Sequence, residues 1–526
     1  MSNKRAERPS RRFLLPLLVS ALALTAGQRA QALTLEEAVS AAVATYPEVG
    51  SLQADRRAIE QELRQARALW LPSLDFRGDL GPEYSDNNIS RRGVDDDNSG
   101  TLFRAQAGLT LSQLLFDGFA TDSEIDRHLA RMDSGTYRVA EAAEYVGLNA
   151  VEAYFNMLRF QEIVDLARGN LEQHRTILGQ VRSLTDQGRG GIADVRQTEA
   201  RLASAEDTLA TAQGNLLDAR ATFLKIVGQE PRSLDTPTIP FAALPTNGED
   251  AAEIARVQGP TVKIFESDIE VARADLRGSR SGYYPSLNVE AGVAAGHDVD
   301  GLEGRNTSAS ALLVMRYNLF RGGGDIARER EAFQRLNEAM LNRDQAEREA
   351  EEVARLAYNA LTTARTRTRT IRSQVEANRL TRDAYGEEFQ LAQRSLLDVL
   401  DSENELFLSR ANLITAAQTE QFAAYRVLAS TGQMLDTLEV TVPTEAVNIY
   451  RRPPASFAET PPSRETVDQP SLDPAPLMPP PVPAEFARPE DLAANGPAGP
   501  GLASGSDSGP TERRTDLLDR LFGSSR

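Results

Sequence analysis

Four short segments of the chain alternate apolar and polar residues with a period of two. They span about 72–84, 102–115, 285–296 and 307–319. The second segment places an apolar residue at every other position, namely Phe103, Ala105, Ala107, Leu109 and Leu111. A two-residue period predicts β-strands. Segments of about ten residues with this alternation are typical of membrane strands, but a half-buried sheet in a soluble protein has the same pattern.

Two much longer segments space their apolar residues three and four apart, which is the period of a helix. The first runs from about Gly118 to Thr185 without a proline, and the second runs from Asp325 to about Gln393. At 1.5 Å per residue, a continuous helix of roughly 68 residues would be ~100 Å long. A globular core does not accommodate such helices, so the pattern predicts long coiled-coil hairpins.

The chain contains two copies of the same sequence unit. The segment FDGFATDSEIDR at 116–127 aligns with FRGGGDIARERE at 320–331, and GGIADVRQTEARL at 190–202 aligns with RSLLDVLDSENEL at 394–406. Both alignments have an offset of 204 positions, and a shared offset at separated places indicates duplication. Each copy is predicted to contain a helix, two strands, a very long helix, a turn and a second helix.

These patterns divide the chain into a signal peptide, a first repeat, a linker, a second repeat and a proline-rich tail. The corresponding ranges are 1–32, 33–228, 229–250, 251–440 and 441–526. The helical hairpins are expected to turn at about 185–194 and 389–398. The composition of the tail predicts a largely disordered segment.

The first 32 residues have the three sections of a secretory signal peptide. A basic stretch precedes the apolar run FLLPLLVSALALTA, and Ala30-Gln31-Ala32 supplies the small residues of a cleavage site. The apolar run is about 14 residues long, which is too short to span a membrane. The expected cut lies between Ala32 and Leu33.

Composition narrows the functions that are open to this chain. Its 526 residues carry a formal net charge of −18, which argues against nucleic acid as a partner. There is no cysteine, so disulfides, thiolate metal sites and an acylated lipoprotein anchor are excluded. The histidines His128, His174 and His297 lack metal-ligand spacing. No set of nucleophile, base or metal ligands converges, so we expect neither an enzyme nor a cofactor.

The second hairpin turn carries charged residues within RSLLDVLDSENELF, at 394–407. Asp398 and Asp401 are three positions apart and Arg394 lies four before the first, so a helix places all three on nearly one face. An ordinary exposed ion pair has the same spacing and is worth only about 0.3–0.5 kcal/mol. The spacing alone does not separate a functional face from such a pair.

Several paired motifs together resemble one known family. The strand starts LPSL at 71–74 and YPSL at 284–287, the strand-to-helix turns LFDG and LFRG, and the Asp-Val pairs at the hairpin turns occur once in each copy. With the signal peptide and the long helices, they make residues 33 to about 440 similar to the TolC-like outer-membrane efflux and secretion channels.

The resemblance implies a mixed fold. Long antiparallel α-helical coiled-coil hairpins would form a hollow α-barrel in the periplasm, and the four β-strands of each chain would contribute to a trimeric, twelve-stranded outer-membrane β-barrel. A four-stranded sheet cannot pair its own outer edges in lipid, so three copies would also satisfy that physical need.

The resemblance also implies roles for charged residues at the hairpin turns. Asp398 and Asp401 match a ring of aspartates at the periplasmic entrance, where symmetric copies would concentrate negative charge. Arg394 and Asp194 match a charge-assisted contact that latches the closed entrance. The shared position of the two turns in the duplicated unit favours these roles over a simple surface pair.

Two neighbouring gate positions depart from the family. Phe389 stands where the family has a tyrosine, and Ala193 stands where it has a hydroxyl residue. Both changes remove a polar group, so a latch in this chain is expected to depend mainly on its arginine and aspartate.

We therefore expect an outer-membrane channel. The first interpretation is the outer-membrane component of a type I secretion system, which exports an unfolded protein such as a large adhesin or protease. The second is the duct of a drug or metal efflux pump, and the third is a non-channel coiled-coil scaffold of the periplasm. The expected partners are further copies of the chain in a homotrimer, a periplasmic adaptor protein, an inner-membrane ABC transporter or proton-driven pump, and outer-membrane lipid.

Overall fold

The computed structural model describes residues 32–86, 101–231, 233–391 and 393–447. The signal peptide up to residue 31, the segment 87–100 and the chain from residue 448 onward lie outside these ranges. The expectations for the signal peptide and for most of the tail therefore concern residues outside the described part of the chain.

The described helices and strands occur in the same order twice. The first copy contains α1 (Leu35–Thr45), α2 (Pro47–Ala68), β1 (Ser73–Tyr84), β2 (Thr101–Phe116), α3 (Ala120–Asp186) and α4 (Ile192–Val227). The second contains α5 (Gly248–Gln258), α6 (Pro260–Ser279), β3 (Ser286–Val299), β4 (Leu302–Arg316), α7 (Gly324–Gln390) and α8 (Leu396–Ser430), and the short α9 (Met434–Thr437) follows. The predicted duplication is confirmed, because α3 and α7 have the same length of 67 residues.

Matched start signals position the shorter helices of each copy. Thr34 and Glu37 form a capping box at α1, in which the Thr34 hydroxyl accepts the N–H of Glu37 at 3.2 Å and the Glu37 carboxylate accepts the N–H of Thr34. Proline opens both α2 and α6, at Pro47 and Pro260. At that position its missing N–H costs no helical hydrogen bond. Both helices then pack against α3.

The four strands form one antiparallel sheet in the order β1-β2-β3-β4, so β2 and β3 join the two copies. The register pairs Phe76 with Leu109 and Asp79 with Gln106, which places apolar residues on one face and polar residues on the other. Phe76 is 72% exposed on the apolar face. On the polar face Arg104 forms an ion pair with Asp79 at 2.8 Å. In the described chain β1 and β4 each have an unpaired outer edge.

The last strand begins and ends earlier than its apolar alternation predicted. It covers Leu302–Arg316 rather than about 307–319. It begins early because a tight turn joins β3 to β4, and it ends at Arg316, which pairs with Ser286 at the start of β3. Asp298 and Asp300 adopt positive φ angles of 56° and 54° there, and the Asp298 carboxylate accepts the N–H of Gly304 at 2.7 Å. Aspartate tolerates this left-handed backbone better than most residues, so the pairing continues through a polar stretch.

The long helices form two antiparallel hairpins that lie side by side. Helix α3 packs along α4, α7 packs along α8, and α3 also packs along α8. One contact between the hairpins is a hydrogen bond from Gln418 on α8 to Glu162 on α3, at 3.0 Å. None of the helices in the described ranges carries an apolar run of the length that a membrane crossing needs.

A buried core surrounds the middle of α3. Tyr154 is fully buried, and its hydroxyl lies 2.8 Å from the carbonyl oxygens of Leu33 and Asp235, which ties the start of the described chain to the linker. The buried Glu144 accepts the N–H of Leu435, which holds α9 against α3. Burial raises the pKa of Glu144 to about 8, so the carboxyl group is protonated at neutral pH.

Candidate functional site

The turn of the first hairpin is built on glycine and one aspartate. Helix α3 ends at Asp186, and Gly188 just beyond it is left-handed with φ of 73°. The N–H of Arg189 donates to the carbonyl of Leu184 at 2.9 Å. The carboxylate of Asp194 accepts the N–H of Gly191 at 3.2 Å at the start of α4. The aspartate therefore caps the helix that returns from the turn.

The turn of the second hairpin uses the equivalent aspartate. The N–H of Asp398 donates to the hydroxyl of Ser395 at 3.2 Å, and that hydroxyl donates to the Asp398 carboxylate at 2.9 Å. Asp194 and Asp398 thus occupy the third position of α4 and α8. A negative charge in the first turn is also favoured by the helix dipole. Helix capping is one reason why both copies carry Asp-Val at this point.

An apolar cluster joins the two turns, and we call it the tip cluster. Its buried members come from α3, α4 and α8: Ile177, Leu178, Val181, Val195, Leu396 and Leu400. Leu202 and Phe389 pack against it. The two hairpin ends that the sequence identified separately are therefore held together by burial of apolar surface.

Of Phe389 and Ala193, the first joins this cluster. Phe389 packs its ring against the apolar side chains of the tip cluster. A tyrosine in the same place would need a hydrogen-bond partner for its hydroxyl. Ala193 is exposed at the start of α4. The structure therefore gives Phe389 a packing role at the tip and leaves Ala193 facing solvent.

Arg394 contacts residues of its own hairpin turn. Its Nε donates to Glu388 at 2.8 Å, and its guanidinium lies 4.1 Å from the centre of the Tyr385 ring. The hydrogen bond to Glu388 raises the pKa of Arg394. A weaker contact reaches Asp398 at 3.9 Å. Among the described residues no ion pair joins Arg394 to Asp194, so the latch between them stays a prediction.

Asp401 has a partner that the sequence did not indicate. Its Oδ1 accepts from Nη2 of Arg201 at 2.9 Å. Arg201 lies on α4 in the first hairpin and Asp401 lies on α8 in the second, so this ion pair crosses from one hairpin to the other. The side chains of Arg201 and Asp401 are 39% and 52% exposed, so water competes for both.

A buried carboxylate lies next to that ion pair. Glu403 has a side chain only 7% exposed; it accepts from Arg382 on α7 at 2.9 Å and from Gln173 on α3 at 3.1 Å. The adjacent His174 is also buried, and burial lowers its pKa. Glu199 is the equivalent residue in the first copy; it accepts from Arg182 on α3 at 2.8 Å, but its side chain is 31% exposed.

The remaining candidates for chemistry do not form a site. Within the described ranges, no group of three or more His, Cys, Asp or Glu side chains is placed to hold a metal ion. His128 is surrounded by Glu62 and Glu124, at 3.3 and 3.1 Å. The charged residues at the hairpin tips are therefore the principal candidate site of the described chain.

One family model matches both copies of the unit. The family is described as outer membrane efflux protein, and the match covers residues 38–229 and 252–433. The outer membrane efflux protein BepC of Brucella suis is 25% identical over 422 residues, which cover 80% of this chain and 89% of that protein. The alkaline protease secretion protein AprF of Pseudomonas aeruginosa is 24% identical over 438 residues, which cover 82% and 90%.

Solved structures resemble the same part of the chain. The crystal structure of the CmeC outer membrane channel of Campylobacter jejuni matches with a TM-score of 0.65, covering 76% of this chain and 86% of that one. The sequence identity in this match is 14%, so the likeness concerns the fold. Both comparisons therefore reach across the sheet and the two helical hairpins.

Proposed function

The chain belongs to the outer membrane efflux protein family, and on that premise we propose that it is the outer-membrane duct of a type I secretion system. Proteins of this TolC-like family are channels of the outer membrane, with most of their mass in a periplasmic helical tunnel. The finer proposal is that this member exports an unfolded protein, which it receives from an inner-membrane ABC transporter and a periplasmic adaptor.

The observation that carries the secretion proposal is the similarity to a dedicated secretion protein over most of both chains. AprF is named for the secretion of alkaline protease, and 438 residues align with it. The tips of the two hairpins meet at the charged groups, and we propose that separation of these tips opens the route for an extended chain. We further propose that the signal peptide is cut before Leu33.

A second candidate function is supported by an equally similar relative. BepC is named an efflux protein, and its identity of 25% over 422 residues is close to that of AprF. An efflux duct would use the same tunnel with a different inner-membrane transporter. We therefore keep drug or metal efflux as the alternative, and an experiment must distinguish the two.

Deletion of the gene in its own cell should remove a secreted protein from the culture medium and leave antibiotic susceptibility unchanged. The reason is that a duct dedicated to an ABC transporter carries the cargo of that transporter alone. The measurements are mass spectrometry of the medium and growth inhibition by a panel of antibiotics and metal ions. Complementation with the full chain should restore the secreted protein. Increased susceptibility with an unchanged medium would favour efflux instead.

The unpaired outer edges of the sheet predict that three copies assemble. Each copy would supply four strands to a shared twelve-stranded barrel, and the exposed apolar face that includes Phe76 would meet lipid. The expected result is a native mass of three chains for the protein purified in mild detergent. A mass of one or two chains would contradict this assembly.

In such a trimer, we propose that Asp398 and Asp401 face the periplasmic entrance. Arg394 is held in its own turn by Glu388, so a contact with Asp194 requires either a neighbouring copy or movement of the arginine away from Glu388. The latch is therefore proposed as a contact of the assembled channel. Phe389 packs against the tip cluster and offers no polar group to this latch.

A further inference from the structure

The two entrance aspartates differ in which hairpin supplies their positive partner. Asp398 contacts Arg394 at 3.9 Å and Ser395 at 2.9 Å, and all three residues belong to the second hairpin. Asp401 contacts Arg201 at 2.9 Å, and Arg201 belongs to the first. Separation of the hairpins would therefore leave Arg394 and Ser395 beside Asp398 and would remove the counter-charge of Asp401.

We infer that Arg201 masks the charge of Asp401 while the hairpin tips are packed together, so that the entrance gains negative charge as the tips separate. This inference rests on the proposed function, in which the tips form the channel entrance. It makes Arg201 a specificity-determining residue of the entrance, outside the aspartate and latch positions. In a symmetric assembly, half of the entrance carboxylates, the Asp401 side chains, would lose their positive partner as the tips separate.

The Arg201–Asp401 ion pair is suited to masking charge rather than to holding the hairpin tips together. Both side chains are more than one-third exposed, and exposed ion pairs typically contribute only about 0–1 kcal/mol to stability. A guanidinium 2.9 Å from a carboxylate nevertheless cancels most of its field at distances beyond a few ångströms. The energy that keeps the tips together therefore comes mainly from the tip cluster, and the ion pair sets the charge that the entrance presents.

The neighbouring polar contacts fix the two partners in register. Glu403 lies two residues after Asp401 and is buried between Gln173 of the first hairpin and Arg382 of the second. A buried carboxylate without these partners would be costly, so the hairpins are favoured in the one alignment that supplies both. The same alignment brings Arg201 to Asp401.

The test measures block of single channels by a trivalent cation. The full chain is purified and inserted in planar bilayers, and hexamminecobalt is added on the side of the helical tips. Arg201→Gln should lower the half-blocking concentration about tenfold, which corresponds to ~1.4 kcal/mol of tighter binding, because Asp401 is then unmasked. Arg201→Lys should keep the wild-type value, since it retains the positive charge.

A matched control separates masking from a general loss of positive charge. Arg196 is an exposed arginine on the same helix, and it pairs with Glu199 of its own hairpin. Arg196→Gln removes the same charge and should leave the block unchanged. The effect of Arg201→Gln should also disappear when Asp401 is changed to Asn, and it should persist when Asp398 is changed to Asn.

A second variant tests whether masking of Asp401 requires the hairpin tips to be packed together. In Leu400→Ala channels the tip cluster is weakened, so Arg201 should already be away from Asp401. In the Leu400→Ala channel, Arg201→Gln should therefore leave the half-blocking concentration unchanged. A wild-type half-blocking concentration for Arg201→Gln, or a gain that survives Asp401→Asn, would overturn the masking of Asp401. If the wild-type protein forms no pores, the proposed channel fails and the inference fails with it.

Discussion

Leu400→Ala should produce a channel that conducts more than the wild type. Leu400 has no exposed surface and lies in the tip cluster, where side chains from α3, α4 and α8 meet. Truncation of a buried leucine to alanine typically costs about 2–5 kcal/mol, since the removed methyl groups leave a cavity. The cluster joins the two hairpins, so this loss shifts the tips toward separation. Single-channel conductance in planar bilayers is the measurement.

Leu397 supplies the matched control on the same helix. It lies three residues before Leu400, and it is 46% exposed and outside the tip cluster. Leu397→Ala removes the same atoms from the same turn of α8 and should leave the conductance close to that of the wild type. If both variants form trimers and conduct like the wild type, apolar packing at the tips does not hold the entrance closed.

The periodic parts of this fold could be predicted because each element keeps one environment over many residues. The two-residue alternation located all four strands, and the helical period together with the absence of proline located α3 and α7 to within two or three residues at each end. The aspartates of the turns were also visible, because the 204-position offset places Asp194 and Asp398 at the same point of the duplicated unit.

The partners of the charged residues could not be predicted in the same way. Spacing along one helix indicates neighbours three or four positions away, and it correctly suggests that Arg394 can reach Asp398. Spacing along one helix contains no information on the register between two helices. That register brings Arg201 to Asp401, which is 200 positions away in the sequence. The preference of Arg394 for Glu388 depends on the turn geometry after α7, which local sequence rules do not specify.

The same limitation explains why the sequence did not identify Glu403. A glutamate on a helix with many charged residues is usually exposed, and nothing in SENELF distinguishes Glu403 from Glu405. Only the packing of α3 against α8 buries the first and leaves the second exposed. Tertiary contacts therefore assign the roles of individual charges in a coiled coil whose elements are evident from sequence.

Gly118→Ala should destabilise the assembled protein strongly. Gly118 follows β2 in the LFDG turn and has φ of 70°, a conformation that costs a residue with a side chain about 1–2 kcal/mol. An added Cβ would also lie 2.7 Å from the carbonyl oxygen of Ser281 and 2.8 Å from Cβ of Tyr284. Overpacking of this kind costs about 1–3 kcal/mol. The expected result is a clear fall in the temperature at which the trimer dissociates, measured by gel mobility after heating.

The duplication provides the control for this prediction. Gly322 occupies the equivalent position 204 residues later and has a similar φ of 65°, but within the described part of the chain nothing lies within 4 Å of the Cβ that it would carry. Gly322→Ala therefore carries the backbone cost without the clash and should lower the dissociation temperature much less. The carbonyl of Ser281 belongs to the backbone between α6 and β3, so it cannot move aside as a flexible side chain would. Equal losses in the two variants would show that backbone conformation, rather than the close approach of Gly118 to the segment between α6 and β3, makes glycine necessary at the junction.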